Sequence, residues 1–280
     1  MALARRLDGE IVSADSMQLY RGLDIGTAKP SAAERAEVPH RLLDILDISE
    51  RADLFSFRDL AEAAISDIRA RGRTPIIVGG TGLYMRALIY GLDPMPSDRK
   101  LRAEIDSEFA SDKGFEKLKA IMAERDPYDL ALWASHKRRL LRAWEVFLIA
   151  GKPCCELQRT WPKAAARSDM RSFFLVWPRE ELKARIASRC DEMLASGWID
   201  EAKRLLPQGL LQTPTARQAL GYSLIAAHLA GHMDVKQLSS SLKIITWQYA
   251  RRQLTWFRNQ HPEATRIEMP ASPDDILAKL

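Results

Sequence analysis

Short apolar segments alternate with amphipathic helices in the first third of the chain. Residues 10–14 and 74–78 are brief, mainly apolar stretches that predict buried strands. Between them, apolar residues recur at helical spacing over 54–71, and Gly72 is placed to end that helix. A helix through residues 87 and 88 follows the second strand. Because the order is strand, helix, strand, we expect a parallel sheet with helical crossovers.

From about residue 94 onwards the pattern is mainly helical. Pro94 and Pro96 interrupt the alternation, and residues 98–135 then have helical character with breaks expected at Gly114 and Pro127. The chain is therefore expected to be an α/β protein, with a helical insertion at 98–136 and a core formed by 1–97 and 137–280.

The second half of this predicted core has one strand among helices. An amphipathic helix is expected over residues 137–149 and ends at Gly151, and residues 172–177 form a short apolar strand. Pro178 begins the next helix. The remainder is predicted to be mostly helical, with a short helix in the last ten residues.

Composition places the chain among globular proteins. Of its 280 residues, 46% are hydrophobic and 28% are charged. No apolar run approaches the roughly 18 residues that a membrane span needs, and no signal peptide is visible. Cys154, Cys155 and Cys190 fit neither a disulfide framework nor a metal-ligand spacing. We therefore expect a cytoplasmic protein with free thiols and no membrane partner.

The net charge of +5 suits a polyanionic partner. Its distribution is more informative than its size, because arginines cluster on three predicted helices, at residues 138–142, 185–189 and 251–258. A solvated basic face is the alternative explanation of each cluster when it is taken alone.

Asp15 is the first candidate for chemistry. It follows the first predicted strand, and the carboxyl ends of parallel strands are where α/β sheets bind ligands. A carboxylate there can serve as a general base or hold a metal ion. The alternative is a turn or helix-capping aspartate.

The turn Gly79-Gly80-Thr81-Gly82 after the second strand is a candidate anion site. Glycines allow close approach of the backbone to a ligand, and the next helix offers free N–H groups. A tight strand-to-helix turn without a ligand is the alternative. Arg185 and Arg189 share one helix face and are suited to phosphate oxygens, although exposed arginines at this spacing are common.

The segment 248–258 mixes cations, amides and aromatic residues on one predicted helix. Such a mixture suits phosphate contacts and base stacking. A C-terminal helix with core aromatics and solvated arginines is an equally good interpretation of these residues.

Seven collinear motifs together resemble the bacterial tRNA dimethylallyltransferase family over nearly the whole chain. They are Asp-Ser-Met-Gln-Leu-Tyr at 15–20, Asp-Ile-Gly-Thr-Ala-Lys-Pro at 24–30, Pro-His-Arg-Leu-Leu-Asp at 39–44, Val-Gly-Gly-Thr-Gly-Leu-Tyr at 78–84, Arg-Ala-Trp-Glu-Val at 142–146, Ala-Leu-Gly-Tyr at 219–222 and Arg-Gln-Leu-Thr-Trp at 252–256.

The resemblance implies a P-loop-kinase-like α/β core with a helical insertion. The implied reaction transfers a dimethylallyl group from dimethylallyl diphosphate to N6 of the adenosine beside the anticodon. The implied partners are the tRNA anticodon stem-loop and the diphosphate donor, with Mg²⁺ as cofactor and ligands that the sequence does not identify. We expect a monomer.

The resemblance also assigns roles to residues. Asp15 matches the general base, and Thr81 and Arg189 match residues at the donor diphosphate; these three are the implied catalytic residues. The residues implied to bind tRNA are Asp15, Ser16, Met17, Gln18, Arg102, Arg138, Arg139, Leu140, Leu141, Arg142, Gln218, Gly221, Tyr222, Arg251, Arg252, Gln253, Thr255, Trp256 and Arg258.

The chain departs from the family pattern in four places. The family's first strand and its Gly-x-x-x-x-Gly-Lys-Ser/Thr phosphate loop are not found in these 280 residues. Ser223 and Trp247 each replace a basic residue, and residues 133–137 differ from the usual stretch. We expect the first departure to impair transfer and the others to loosen contacts with tRNA.

Three functional hypotheses follow. The first is a tRNA dimethylallyltransferase whose phosphate loop is encoded upstream of Met1. The second is a shortened relative that binds tRNA without transferring anything. The third is an adenylate-type isopentenyltransferase, which would use a free nucleotide as acceptor; the basic helices favour tRNA over it.

Overall fold

The computed structural model describes residues 1–93, 95–158 and 165–280, so the predicted break at Pro94 lies outside the described residues. The chain divides into two compact units. Unit 1 consists of Met1–Ile89 and Ser168–Leu280, and unit 2 consists of Tyr90–Arg167. Buried apolar clusters form separate cores in the two units.

The described elements follow in chain order. The helices are α1 (Ala2–Arg6), α2 (Ala32–Glu37), α3 (Leu54–Ala70), α4 (Gly82–Tyr90), α5 (Arg99–Glu108), α6 (Asp112–Arg125), α7 (Pro127–Trp133), α8 (Lys137–Ala150), α9 (Cys154–Leu157), α10 (Arg179–Ala195), α11 (Trp198–Leu205), α12 (Tyr222–Leu229), α13 (Val235–Gln260) and α14 (Pro273–Leu277). The strands are β1 (Gly9–Ser13), β2 (His40–Arg41), β3 (Thr74–Val78), β4 (Phe173–Val176) and β5 (Thr265–Glu268). Short 3₁₀ turns lie at Leu206–Gln208 and Ala216–Gln218.

A parallel sheet of order β2-β1-β3 forms the centre of unit 1. Every residue of β1 is buried, as expected for a central strand between two parallel neighbours. Helix α3 packs Phe57, Ala61, Ile65 and Ile68 in the same core, where Phe57 stacks on Tyr84 of α4 with ring centroids 3.8 Å apart. The predicted α/β fold with a parallel sheet and helical crossovers is confirmed.

A second parallel pair, β4 with β5, also belongs to unit 1. The β4 strand was predicted, but β5 was not, because the C-terminal part was expected to be helical. In β5 only Ile267 is buried, and its neighbours on both sides are exposed polar residues. A four-residue strand with one apolar position carries too little periodicity to be recognised from the sequence.

Unit 2 is a helical unit built from α5 to α9. It is wider than the predicted insertion at 98–136, because α8 packs its apolar face in this core. Leu140 and Trp144 of α8 lie in one cluster with Ile105, Phe109 and Leu118. The amphipathic pattern of α8 was visible in the sequence, but the partner of its apolar face was not.

The helix boundaries within unit 2 are set by caps. Gly114 was expected to break a helix, but it lies in the first turn of α6, where its N–H donates to the Ser111 side chain at 3.0 Å. Pro127 is the first residue of α7, a position at which proline is favoured because no N–H is needed there. A proline at this point starts a helix rather than simply ending the one before it.

No helix in the described part of the chain is both long and apolar enough to cross a membrane.

Candidate functional site

The carboxyl ends of β1 and β3 meet at the residues predicted to be chemically active. Asp15 lies just beyond β1, and its Oδ1 accepts hydrogen bonds from the N–H groups of Met17 at 2.8 Å and Gln18 at 3.3 Å. The turn geometry considered for Asp15 is therefore present. It engages one carboxylate oxygen and orients the side chain.

The pKa of Asp15 is raised from its usual value. Burial is the largest cause, and it is opposed by the two backbone hydrogen bonds and by the positive charges of Arg189 and Lys29. A desolvated carboxylate with a raised pKa is a stronger base than an exposed one, which suits it to accept a proton from a reacting amine. Arg189 therefore acts electrostatically on Asp15 from α10.

Thr81 is hydrogen-bonded to Ser16, the residue that follows Asp15. Its Oγ1 accepts a hydrogen bond from the Ser16 N–H at 3.0 Å and lies 3.2 Å from the Ser16 hydroxyl. The Thr81 N–H reaches the carbonyl of Ala14 at 3.4 Å. The two strand ends are thus joined side by side, with Asp15, Ser16 and Thr81 in one cluster.

The glycines of the 79–82 turn accommodate the protein itself. A Cβ at Gly79 would lie 2.2 Å from the carbonyl oxygen of Ala14, one at Gly80 would lie 2.1 Å from Nε2 of Gln253, and one at Gly82 would lie 2.1 Å from Nε1 of Trp256. None of the three has a positive φ. Glycine is required here for space against β1 and α13, which supports the tight strand-to-helix turn, the alternative to an anion site.

Helix α13 carries the predicted cationic and aromatic segment. Its exposed side bears Arg251, Arg252, Thr255 and Arg258. A groove of about 570 Å³ runs along this side and is lined by Gln248, Arg251, Arg252, Thr255, Trp256, Asn259 and Gln260. Cationic, amide and indole groups in one open groove suit phosphates and bases of a single strand.

Gln253 and Trp256 face the 79–82 turn. Gln253 donates from Nε2 to the carbonyl oxygen of Gly80 at 2.9 Å. Trp256 lies over Gly82 while also lining the groove on α13. Both residues were predicted to bind tRNA, and the structure adds an intramolecular contact to each.

The Asp15–Gln18 segment is tied to the next loop. Gln18 accepts a hydrogen bond from the Ser13 hydroxyl at 3.0 Å and donates to the carbonyl of Thr27 at 3.1 Å. Its amide is therefore occupied within the protein. Met17 packs against the core that contains Tyr20 and Trp198.

Two residues that support this loop were not predicted. The fully buried ammonium of Lys29 donates to the carbonyl of Tyr20 at 2.7 Å and to the carboxylates of Asp24 at 2.8 Å and Asp44 at 2.6 Å. The carboxylate of Glu201 accepts hydrogen bonds from the backbone N–H groups of residues 24, 25 and 26. Lys29 stands in a quoted motif and could have been singled out, whereas the acidic first turn of α11 gives no sign of this role.

The Ala-Leu-Gly-Tyr motif is mainly structural. Tyr222 is fully buried and donates to Glu201, and a Cβ at Gly221 would lie 2.6 Å from the Trp198 ring. Both residues are engaged inside the protein, so the structure gives them packing roles, and their contact with tRNA stays a prediction. Gln218 is exposed and donates to the carbonyl of Pro214 at 2.9 Å.

The two arginines of α10 differ in their surroundings. The guanidinium of Arg185 lies 4.2 Å from the centroid of the Trp177 ring, in a cation–π contact. Arg189 is exposed and acts on Asp15. Only Arg189 is therefore associated with the carboxylate site.

In unit 2 the predicted RNA-contacting residues separate into exposed and internal groups. Arg138 and Arg139 are exposed, whereas Leu140 and Leu141 are buried in the core, so their side chains have packing roles. A contact of Leu140 or Leu141 with tRNA stays a prediction from the resemblance.

Arg102 and Arg142 of unit 2 both bind one buried carboxylate. The Nε of Arg102 lies 2.5 Å and the Nη1 of Arg142 lies 2.6 Å from Oε2 of Glu145, whose Oε1 accepts the N–H of Asp98 at 3.1 Å. Glu145 is 1% exposed. The two arginines therefore neutralise a buried charge, and Glu145 holds the start of α5 through the N–H of Asp98.

In the described part of the chain, the side chains by themselves do not form a complete metal centre. Within the described ranges, no three His, Cys, Asp or Glu side chains are grouped closely enough to hold an ion. Magnesium usually needs only one or two protein carboxylates when substrate phosphates supply the other ligands. Asp15, with the hydroxyls of Ser16 and Thr81 beside it, fits that more limited role.

Comparison with known proteins gives one consistent family. The family model for IPP transferase matches residues 18–260. The tRNA dimethylallyltransferase of Geobacter metallireducens is 42% identical over 280 residues, covering 99% of this chain and 90% of that protein. The protein of the same name from Anaeromyxobacter dehalogenans strain 2CP-C is 44% identical over 282 residues, covering 100% and 93%.

Solved structures agree. The tRNA isopentenylpyrophosphate transferase of Bacillus halodurans is similar with a TM-score of 0.69 and 37% identity, over 99% of this chain and 87% of that one. A eukaryotic dimethylallyltransferase, crystallised acting on tRNA, has a TM-score of 0.79 and 25% identity, over 95% and 69%.

Proposed function

This chain belongs to the IPP transferase family, and we propose that it is a tRNA-modifying prenyltransferase that uses dimethylallyl diphosphate as donor. The acceptor atom is N6 of the adenosine adjacent to the anticodon, and the product is N6-(dimethylallyl)adenosine. The observation that carries this proposal is the cluster of Asp15, Ser16 and Thr81 at the joined ends of β1 and β3, with Arg189 acting on the same carboxylate.

Asp15 is the proposed general base. The exocyclic amine of adenosine is a weak nucleophile, so a carboxylate that orients it and accepts its proton favours attack on the allylic carbon. Burial raises the pKa of Asp15, and the hydrogen bonds from Met17 and Gln18 hold one of its oxygens, leaving the other to face the amine.

Thr81 and Arg189 are proposed to stabilise the leaving diphosphate. Negative charge develops on the diphosphate as the allylic C–O bond breaks, and hydroxyl and guanidinium donors stabilise that charge. Magnesium, bound mainly by the donor phosphates beside Asp15, would supply further charge neutralisation.

Exposed arginines are proposed to bind the RNA backbone. In unit 1 these are Arg251, Arg252 and Arg258 on α13, and in unit 2 they are Arg138 and Arg139 on α8. The target base must leave its stack before the amine can reach a carboxylate, so contacts on neighbouring phosphates and bases have to hold the loop open. A tRNA substrate also supports a cytoplasmic location, and a monomer stays our prediction.

A direct assay tests the proposal and separates the three hypotheses. The purified chain is incubated with Mg²⁺, dimethylallyl diphosphate and an anticodon stem-loop RNA, and the digested nucleosides are analysed by mass spectrometry. We expect one adenosine to gain one dimethylallyl group, slowly because the family's phosphate loop is not found in these 280 residues, and an RNA with guanosine at that position to gain none. RNA binding without transfer would identify a binding protein, and transfer only to free adenosine monophosphate would identify a nucleotide-specific enzyme; either result overturns the proposal.

A further inference from the structure

We infer that Gln253 and Trp256 are positioning residues through which helix α13 controls the 79–82 turn and thereby Thr81. The inference rests on the proposed function of α13 as an RNA-binding helix. It assigns these two side chains to an internal contact that acts on the reaction, beyond any contact that they make with RNA.

The first argument is steric. Gln253 and Trp256 occupy the spaces above Gly80 and Gly82, at 2.1 Å from the place of each missing Cβ. Thr81 lies between these two glycines, so its backbone is held on both sides by α13. A displacement of either side chain towards the turn therefore presses on the segment that carries the Thr81 hydroxyl.

The second argument is the hydrogen bonding around Thr81. Gln253 holds the carbonyl of Gly80, and the next residue, Thr81, contacts both the N–H and the hydroxyl of Ser16. Ser16 directly follows Asp15. A continuous set of contacts thus leads from α13 through the turn to the residue beside the proposed base.

The third argument concerns Trp256, which contacts the 79–82 turn and also lines the groove on α13. Its ring lines the groove on α13, while its buried Nε1 faces Gly82 and has no hydrogen-bond partner among the residues that the structure describes. A buried donor without an acceptor is unfavourable, and the ring gives up no hydrogen bond of its Nε1 when it moves. A strand bound in the groove can cause such a movement, and the turn then responds to occupancy of α13.

Enlarging the side chain at Gly80 and then shortening the one at Gln253 tests the steric argument. Gly80→Ala places a methyl group against Gln253, and we expect kcat for prenyl transfer to fall at least tenfold while the Kd for the anticodon stem-loop changes less than twofold. Gly80→Ala combined with Gln253→Ala removes the obstruction, and we expect it to recover at least a threefold increase in kcat over Gly80→Ala alone. A double variant no more active than Gly80→Ala overturns the inference.

A single variant keeps the test informative if Gly80→Ala fails to fold. Gln253→Ala removes one partly exposed amide, and we expect a severalfold loss in kcat with KM for the donor raised less than twofold. Gln208→Ala is the matched control, because Gln208 also donates from its side-chain amide to a backbone carbonyl, that of Arg204 at 3.1 Å, on an exposed turn. Equal kcat values for Gln253→Ala and Gln208→Ala overturn the inference.

Hydrogen exchange separates this inference from the proposed function, because it needs no turnover. Binding of the anticodon stem-loop to the wild-type chain should slow exchange both on α13 and at residues 79–82. In Gln253→Ala we expect the protection on α13 to persist and that at 79–82 to be lost. Protection confined to α13 in the wild-type chain overturns the coupling and leaves RNA binding intact, whereas no protection anywhere contradicts RNA binding on α13 and the coupling with it.

Discussion

The hydroxyl of Tyr222 donates a 2.6 Å hydrogen bond to Glu201, the carboxylate that also receives the backbone N–H groups of residues 24–26. Both residues are almost completely buried. Four donors converge on one carboxylate, so the loop 24–30 is attached to α11 and α12. In the same loop, the carbonyl of Thr27 accepts a hydrogen bond from the side-chain amide of Gln18, which lies three residues after the proposed base.

Glu201→Gln should destabilise unit 1. The amide keeps one acceptor oxygen but turns an NH₂ group towards N–H donors, leaving buried donors unsatisfied. We expect the free energy of unfolding to fall by about 3 kcal/mol, measured by urea denaturation. Tyr222→Phe removes one donor only and should cost about 1 kcal/mol. Equal effects of the two variants would contradict this arrangement.

Asp15→Asn should abolish most prenyl transfer while preserving RNA binding. The amide oxygen can still accept from Met17 and Gln18, but the group no longer accepts a proton, so we expect a loss of about 100-fold or more in kcat. Asp59→Asn, at an exposed carboxylate on α3, is the control. Parallel loss of transfer and of RNA affinity would show that Asp15 is structural.

Neutralising α13 should reduce the salt dependence of RNA binding. If Arg251 and Arg252 each contact one phosphate, Arg251→Gln with Arg252→Gln should make the slope of log K against log salt less negative by about 1.4. Arg266→Gln, at an exposed arginine on β5, should leave it unchanged. An unchanged slope in the α13 variant would remove this helix from the RNA interface.

Glu10 should stabilise the fold at neutral pH and cease to do so in acid. Arg41, Arg71 and Arg73 surround this buried carboxylate, and hydrogen bonding from Arg71 is the largest cause that lowers its pKa to about 2. Because the pKa of Glu10 in the folded state lies below the usual 4.5, its contribution to the free energy of unfolding is complete above pH 4.5. This contribution is lost as the pH falls towards 2. Urea denaturation should therefore show that Glu10→Gln costs more at pH 7 than at pH 3; equal costs would be inconsistent with this.

Asp126 should have the opposite pH dependence. Burial raises the pKa of its carboxyl above the usual 3.8, and neighbouring Asp129 adds to the effect. A raised pKa means that the folded state favours the protonated form, so stability is greatest below the usual pKa and is lost as the pH rises through the raised value. Asp126→Asn keeps an acceptor for the N–H of Asp129 and should flatten this dependence. Urea denaturation at several pH values between 4 and 7 measures this pH dependence. An unchanged profile of stability against pH in Asp126→Asn would contradict the role given to Asp126.

The sequence by itself determined the family, the parallel α/β class and most helices. These features depend on residues close together in the chain. Apolar spacing specified α3, β1 and β3, and Gly151 ended α8 in the left-handed conformation that glycine adopts readily. The collinear motifs also placed Asp15 and Thr81 at strand ends, where parallel strands bring them to one edge.

Only the tertiary structure decided what the motif residues touch. Gln253 meets Gly80 from 173 positions away, and Glu201 meets Asp24 from 177 positions away. Local periodicity contains no information on such partners, because they are selected by the packing of whole helices against the strand ends. The sequence therefore left the 79–82 turn open between an anion site and a tight turn, whereas packing shows that β1 and α13 require its glycines.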